Sequence, residues 1–202
     1  WWGRFRKAVE LIHGGAIGDV YQGNFFFPGN RDSIGFKPVK EPPANLNWDK
    51  WLGPAQVEPY HENLVHYNWH WFWNYGTGEL GNWGVHLLDV ARWGLDLGLP
   101  TSVMAAGGKY VFHDDQETPD TLQVMYRYPH HTITWEHRLW TNHGLEGRGS
   151  GVAFHGEKGT LVVDRSGWKI YDTKEPMTSD TSDQLRPHLR NFINSVRSRE
   201  LP

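Results

Sequence analysis

The stretch GTGELGNWGVHLLDVARWGL (76–95) places Glu79, Asn82, His86 and Asp89 at steps of three, four and three. At about 100° per helical residue, these four side chains fall within about 80° of arc. Leu80, Leu87, Leu88, Ala91 and Leu95 form an apolar stripe beside them. The spacing therefore predicts one amphipathic helix from Glu79 to Leu95, with a polar ridge next to its buried face. An imidazole on that ridge gains or loses a proton near neutral pH. His86 is the candidate acid/base, with Glu79 as a second proton-handling group. Asn82 cannot exchange a proton and can only orient what it touches. Plainer roles stand beside these: a helix cap for Glu79, a satisfied core position for His86, an ion pair of Asp89 with Arg92. Gly76, Gly78 and Gly81 would let a backbone or a ligand come close to the first turn. The helix start also favours partially negative groups such as sugar oxygens.

The lead-in HYNWHWFWNY (66–75) supplies a different chemistry. Trp69, Trp71, Trp73 and Tyr75, together with Trp83, offer flat apolar rings with polar edges, suited to stacking on a sugar. Twelve tryptophans in 202 residues exceed what a core of this size needs, although an oligomer interface would also absorb them. His66 and His70 are four apart and fall on about the same side of a helix or an extended segment. His70 is a further acid/base candidate, and His66 a further substrate contact. With His86 or Glu79 the two histidines would make a three-ligand N/O site for zinc or manganese with open positions. The alternative is metal-free hydrogen bonding of these groups to sugar hydroxyls.

Several elements must carry these residues. GRFRKAVELIH (3–13) has Phe5, Ala8, Val9 and Ile12 at helical spacing, and GGAIG ends the run. DVYQGNFFF (19–27) alternates like a strand. Residues 28–62 hold five prolines between Pro28 and Pro54 and predict a long loop, of the kind that forms lids or binding rims. Val65 to Tyr75 alternates in part and predicts a short extended segment. Strands are expected over 102–112, 121–128, 132–140, 151–156, 159–165 and 167–172, with tight turns at Pro129-His130, Glu157-Lys158 and Ser166-Gly167. LRPHLRNFINSVRSR (185–199) is a closing helix with Leu189, Phe192, Ile193 and Val196 on one side. The fold class is α+β: a largely antiparallel, mixed open sheet with helices packed on one face, in a single domain over 1–202. A second copy is the simplest cover for the other face, so a homo-oligomer through the sheet is expected.

Composition narrows the partners. With 20 basic and 23 acidic residues, the formal charge of −3 gives no footing for nucleic acid or an acidic membrane. No apolar run approaches the about 20 residues of a membrane span. Without cysteine there is no disulfide framework, no zinc-thiolate site and no redox signature of a compartment. The chain opens at Trp1 rather than methionine, as a processed, trimmed or partial chain would.

WFWNYGTGELGNWGVHLLDVARWGL resembles the central motif of the Gfo/Idh/MocA oxidoreductases, in which a glycine turn leads into an Asp-x-Gly-x-His-x-x-Asp helix. AVELIHGGAIGDVYQG is similar to the first helix and strand that follow the nucleotide-binding domain of that family. RDSIGFKP, WDKWLGPA and PYHENLVHYNWHWFW resemble the loop of one sugar-processing branch, GGKYVFHDDQETPDTLQVMYRYP its edge strands and HLRNFINSVRS its final helix. The resemblance covers nearly all of the chain. It implies a C-terminal α/β substrate and oligomerisation domain, with NAD(P) held by a Rossmann domain that this sequence does not match. No glycine-rich phosphate fingerprint follows a first strand, so no NAD(P) is expected on this chain alone. The family's Glu-Lys-Pro turn is also missing, since Lys40-Glu41-Pro42-Pro43 has the wrong order. The motif's aspartate is Asn82 here, whereas His86 matches the family's substrate-facing histidine.

Three functions follow as expectations. The leading one is a carbohydrate-active protein performing acid/base, metal-assisted or metal-free, glycoside cleavage or elimination without bound NAD. The second is the detached substrate-binding domain of an NAD(P)-dependent sugar oxidoreductase. The third is a carbohydrate-binding or assembly module without turnover.

Overall fold

The structure, a computed structural model, describes residues 3–145, 147–172, 178–179 and 185–201. Among the described residues, eight strands form one sheet in the order β2-β3-β4-β1-β5-β6-β7-β8. They are β1 (Val20–Pro28), β2 (Ser102–Gly108), β3 (Thr121–Arg127), β4 (Thr132–Arg138), β5 (Gly151–Gly156), β6 (Gly159–Val163), β7 (Gly167–Tyr171) and β8 (Thr178–Ser179). β1 runs parallel to β4, with Phe25 opposite Trp135, and every other pairing is antiparallel. The β3–β4 and β5–β6–β7 turns lie where the sequence places them, and β2 stops at Gly108, four residues short of the expected end.

β1, VYQGNFFFP, lies in the middle of the sheet, and its second half is buried on both faces through Phe25, Phe26 and Phe27. A stretch covered on both faces suits a place between neighbours rather than at an edge. Helix α1 (Gly3–His13) buries Phe5, Ala8, Val9 and Ile12 against β6, β7 and helix α3 (Val85–Gly94). α3 buries Leu87, Val90 and Ala91 and lies over β1 and β5. Phe25 meets Phe154 edge-on beneath them, with ring centroids 6.1 Å apart. The opposite face is polar at its centre: Asn24 Oδ1 accepts from Thr134 and Gln22, and Asn24 Nδ2 meets His155 Nε2 at 3.0 Å.

Three expectations change. Residues 65–75 are not extended, because they fold into turns and a 3₁₀ turn at Asn68–Trp71. Rings at nearly every position mimic alternation whatever the backbone does. The helix begins as a π-helical turn at Leu80–Gly84 and becomes α-helical only at Val85. Two glycines, Gly81 and Gly84, make that wider turn accessible. The closing helix α4 (Leu185–Ser198) forms, but Leu189, Phe192, Ile193 and Val196 are all at least 46% exposed. Among the described residues, then, α4 does not join the helical layer. The long loop carries a single short helix, α2 (Trp48–Leu52), capped by the Asn47 side chain accepting from Lys50 N.

His137 is part of the sheet's inner face and is 2% exposed. Trp135 Nε1 donates to its Nδ1 at 3.1 Å, so Nε2 carries the proton and donates to the Pro119 carbonyl. Both ring nitrogens are occupied in the neutral state, and burial pushes the pKa down to about 4. The folded state thus binds this proton less readily than the unfolded chain. The stabilising contribution is complete above the unfolded pKa near 6.5 and is lost as pH falls towards 4. Stability in urea should drop by about 2 kcal/mol between about pH 7 and pH 5. His137→Gln should flatten that dependence, and an unchanged pH profile in the variant would place its origin elsewhere.

Candidate functional site

The segment before the helix is tied down from several sides. Trp71 O accepts from Glu117 N and Thr118 N at 2.9 and 3.1 Å, and Glu117 Oε2 accepts from Trp73 N at 2.8 Å. Gly76 and Gly78 are needed where they stand. A Cβ at Gly76 would lie 2.7 Å from the His70 carbonyl oxygen. Gly78 has φ 66°, and a Cβ there would lie 2.8 Å from Thr118 Cβ. The glycine turn therefore folds the aromatic segment back against the start of the helix.

A cleft of about 540 Å³ opens at that fold, lined by Trp69, His70, Trp73, Asn74, Tyr75, Gly76, Thr77, Gly78, Gly81, Asn82, Val85 and His86. Six residues expected from sequence converge here: Trp69, His70, Trp73, Tyr75, Asn82 and His86. Trp69 stacks on His70 at 3.8 Å and 17°, and His70 Nδ1 is engaged by the Tyr67 carbonyl. Trp73 is 56% exposed. Tyr75 donates its hydroxyl to Glu58 Oε2 at 3.0 Å, and burial followed by that carboxylate pushes its pKa up to about 12. Tyr75 therefore stays a hydrogen-bonding phenol rather than an acid. His86 is exposed on the first turn of α3, at 6.1 Å and 75° to the Trp83 ring. It also lines a second hollow of about 270 Å³ with Phe5, Trp83, Leu87, Ser150, Gly151, Asp164 and Arg165. There the Arg165 guanidinium lies 4.1 Å from the Trp83 ring centroid.

Four expected residues go elsewhere. Trp71 is 2% exposed and belongs to the core. Trp83 stacks on Phe27 at 4.9 Å and faces the second hollow, not the aromatic cleft. His66 is exposed and lines neither space. Glu79 is fully buried. The wide first turn carries it off the ridge into the interior, so it does not line the cleft and cannot serve there as an acid or base. No group of three His, Asp or Glu able to hold a metal occurs among the described residues. The His66–His70–His86 site for zinc or manganese is thus not assembled. His70 and His86 share the cleft while His66 stays outside it.

Sequence reasoning missed what Glu79 does. Its Oε2 accepts from Arg31 Nε and Nη2 at 3.2 and 2.9 Å, and its Oε1 accepts from Asn82 at 3.0 Å. The guanidinium lies 4.8 Å from the Trp71 ring centroid and donates to the Tyr67 hydroxyl at 3.1 Å. The backbone N–H of Arg31 is bound to the Leu139 carbonyl at the end of the sheet. One ion pair thus joins the sheet, the aromatic segment and the helix start. Burial raises the Glu79 pKa, and the Arg31 charge followed by the Arg31 and Asn82 hydrogen bonds opposes that rise. The signal available in sequence was weak: a basic residue 48 positions upstream in a loop.

Among known proteins, the Gfo/Idh/MocA family model for the C-terminal alpha/beta domain of an oxidoreductase family matches residues 19–200. No curated protein matches the chain. Of the solved structures, an oxidoreductase from Thermotoga maritima superposes with TM-score 0.63 at 18% identity, over 98% of this chain and 50% of that one. The WlbA dehydrogenase from Bordetella pertussis, in complex with NADH and UDP-GlcNAcA, gives TM-score 0.59 at 20% identity, over 98% and 51%. A levoglucosan dehydrogenase in complex with NADH and levoglucosan gives 0.50 at 17%, over 86% and 42%. At these identities the likeness is one of fold, and the chain spans about half the length of the structures it matches.

Removing Arg31 should leave a buried, unpaired carboxylate. Arg31→Ala is expected to lower stability by about 3 kcal/mol at neutral pH. The loss should shrink as pH falls towards the ordinary glutamate range, because burial holds the Glu79 pKa above that range and protonating Glu79 relieves the unpaired charge. Glu79→Gln should cost less, since it keeps an acceptor for Asn82 and Arg31 still reaches water. Urea unfolding of both variants at about pH 7 and pH 4 checks this, and equal, pH-independent losses would contradict it.

Proposed function

The chain belongs to the Gfo/Idh/MocA oxidoreductase family as its C-terminal alpha/beta domain, and from that premise we propose that it forms the saccharide-binding half of a sugar dehydrogenase. The observation that carries this reading is the convergence of Trp69, Trp73 and Tyr75 with His70, Asn82 and His86 around one cleft. Aromatic faces stack on the C–H face of a pyranose, while imidazole and amide groups hydrogen-bond its hydroxyls. In this reading His86 takes the proton of a sugar hydroxyl as its carbon is oxidised, and Asn82, held by Glu79, orients that hydroxyl. Two of the solved relatives carry NADH together with a sugar derivative. In such enzymes the nicotinamide accepts the hydride.

This reading assigns the seat of that cofactor to a separate nucleotide-binding domain. Among the described residues the one parallel pairing, β1 with β4, has no glycine-rich turn leading from strand to helix N-terminus. The chain's own share is therefore to bind, orient and deprotonate, with the hydride acceptor supplied by a nucleotide-binding domain. Glycoside cleavage has less support. Most glycosidases place a pair of carboxylates across the scissile bond, and no Asp or Glu lines the cleft. We also propose that copies of the chain associate through the open sheet face, where Met104 and Met125 are 70% and 46% exposed.

Titration of the 202-residue chain with free hexoses and methyl glycosides, followed by tryptophan fluorescence and NMR, tests the main reading. Saturable binding is expected, weakened about tenfold in Trp69→Ala. His86→Ala should bind only a few-fold more weakly, because its role is proton transfer. Release of nitrophenol from aryl glycosides by wild type but not by His86→Ala would instead establish cleavage.

A further inference from the structure

The long loop before the aromatic segment supplies Arg31 and Glu58 behind the cleft, and it also builds a defined surface of its own. Asn47 caps α2, and α2 presents two stacked tryptophans, Trp48 and Trp51, with centroids 4.7 Å apart and planes 11° apart. Trp48 is fixed from beneath by its Nε1–H donating to the Glu58 carbonyl and by edge contact with the buried Tyr60. Trp51 in turn meets Tyr75 edge-on at 5.0 Å. The loop therefore positions Trp51 at the rim of the cleft.

A further hollow of about 490 Å³ lies on that side, walled by Trp51, Pro54, Ala55, Trp69, Asn74 and Tyr75. Trp69, Asn74 and Tyr75 line both this hollow and the His86 cleft. The two spaces thus adjoin across one shared wall, and the outer one has the same chemistry as the inner. It offers indole faces from Trp51 and Trp69 and a polar edge from Asn74, whose amide is held by the Glu58 carboxylate. A single ring placed at His86 would leave this second aromatic space unfilled.

We propose that the outer hollow is a second sugar subsite, so that the substrate is a glycoside of at least two rings. One ring sits beside His86 and the next lies between Trp51 and Trp69. The proposal rests on the saccharide-binding reading above and adds the length of the ligand to it. It also gives the part of the long loop that carries Trp51, Pro54 and Ala55 a role, as the outer wall of an extended groove.

The test compares glucose and galactose with their α- and β-linked disaccharides, by NMR titration of wild type, Trp51→Ala and Ala55→Trp. At least one disaccharide should bind about tenfold more tightly than its own monosaccharide. Trp51→Ala should remove that gain and leave monosaccharide affinity within about twofold. Ala55→Trp fills the hollow while keeping both Trp48 and Trp51 in the chain, and it should remove the gain as well. Monosaccharide binding with no disaccharide gain would overturn the second subsite alone. So would a Trp51→Ala variant that weakens both classes equally while Ala55→Trp changes neither. Absence of binding by every sugar would overturn this proposal together with the saccharide-binding reading.

Discussion

The buried pair between Arg31 and Glu79 is the constraint on which the site's shape depends. Its members come from a loop and a helix start that share no backbone hydrogen-bond ladder. Each is fixed by something larger: Arg31 by the end of the sheet at Leu139, Glu79 by the turn that opens the helix. Between them lie Trp71 and Tyr67, whose rings and hydroxyl hold the guanidinium. A carboxylate with no exposure is costly unless it is paired and hydrogen-bonded. Glu79 has three such bonds, one of them from Asn82. The same carboxylate therefore locks the cleft wall and aims the Asn82 amide that lines it.

Much of the fold was legible in the sequence because local patterning and tertiary environment agree there. The apolar spacing of Phe5, Ala8, Val9 and Ile12 matches the buried face of α1, and the turns around Pro129, Glu157 and Ser166 fall between paired strands. Patterning failed where the deciding interaction is long-range. A glutamate at a helix start looks like a cap until its arginine, 48 residues away, is known. The π-helical turn has the same composition as the α-helical turn it replaces, so a projection at about 100° per residue put Glu79 on the ridge when it lies inside. Residues 65–75 look alternating because eight of the eleven carry rings, a composition that suits a 3₁₀ turn as well as a strand.

The candidate site was legible in its chemistry and less so in its membership. Trp69, Trp73, Tyr75, His70, Asn82 and His86 reach the cleft because one short segment folds back on the helix that follows it. Trp71 falls out because the 3₁₀ turn at Asn68–Trp71 breaks the alternation and turns it inward beneath Arg31. Trp83 turns towards Phe27 and Arg165, which puts it beside the second hollow that His86 also lines. His86 therefore stands between two spaces, an arrangement that suits a proton-transfer group placed between a bound sugar and a second component. The amphipathic helix α4 was equally plain from its spacing, yet its apolar side meets no cover among the described residues.

Neither Arg31 nor Glu79 lines the cleft, so any effect of the pair on sugar binding has to pass through the cleft's shape. The most direct measurement is the saccharide affinity of Arg31→Met, compared with wild type by NMR titration where both remain folded. The account predicts binding weakened by about tenfold, with shifted resonances for Trp69, Trp73 and His86 in the free protein. Unchanged affinity and unchanged resonances for those residues would contradict it.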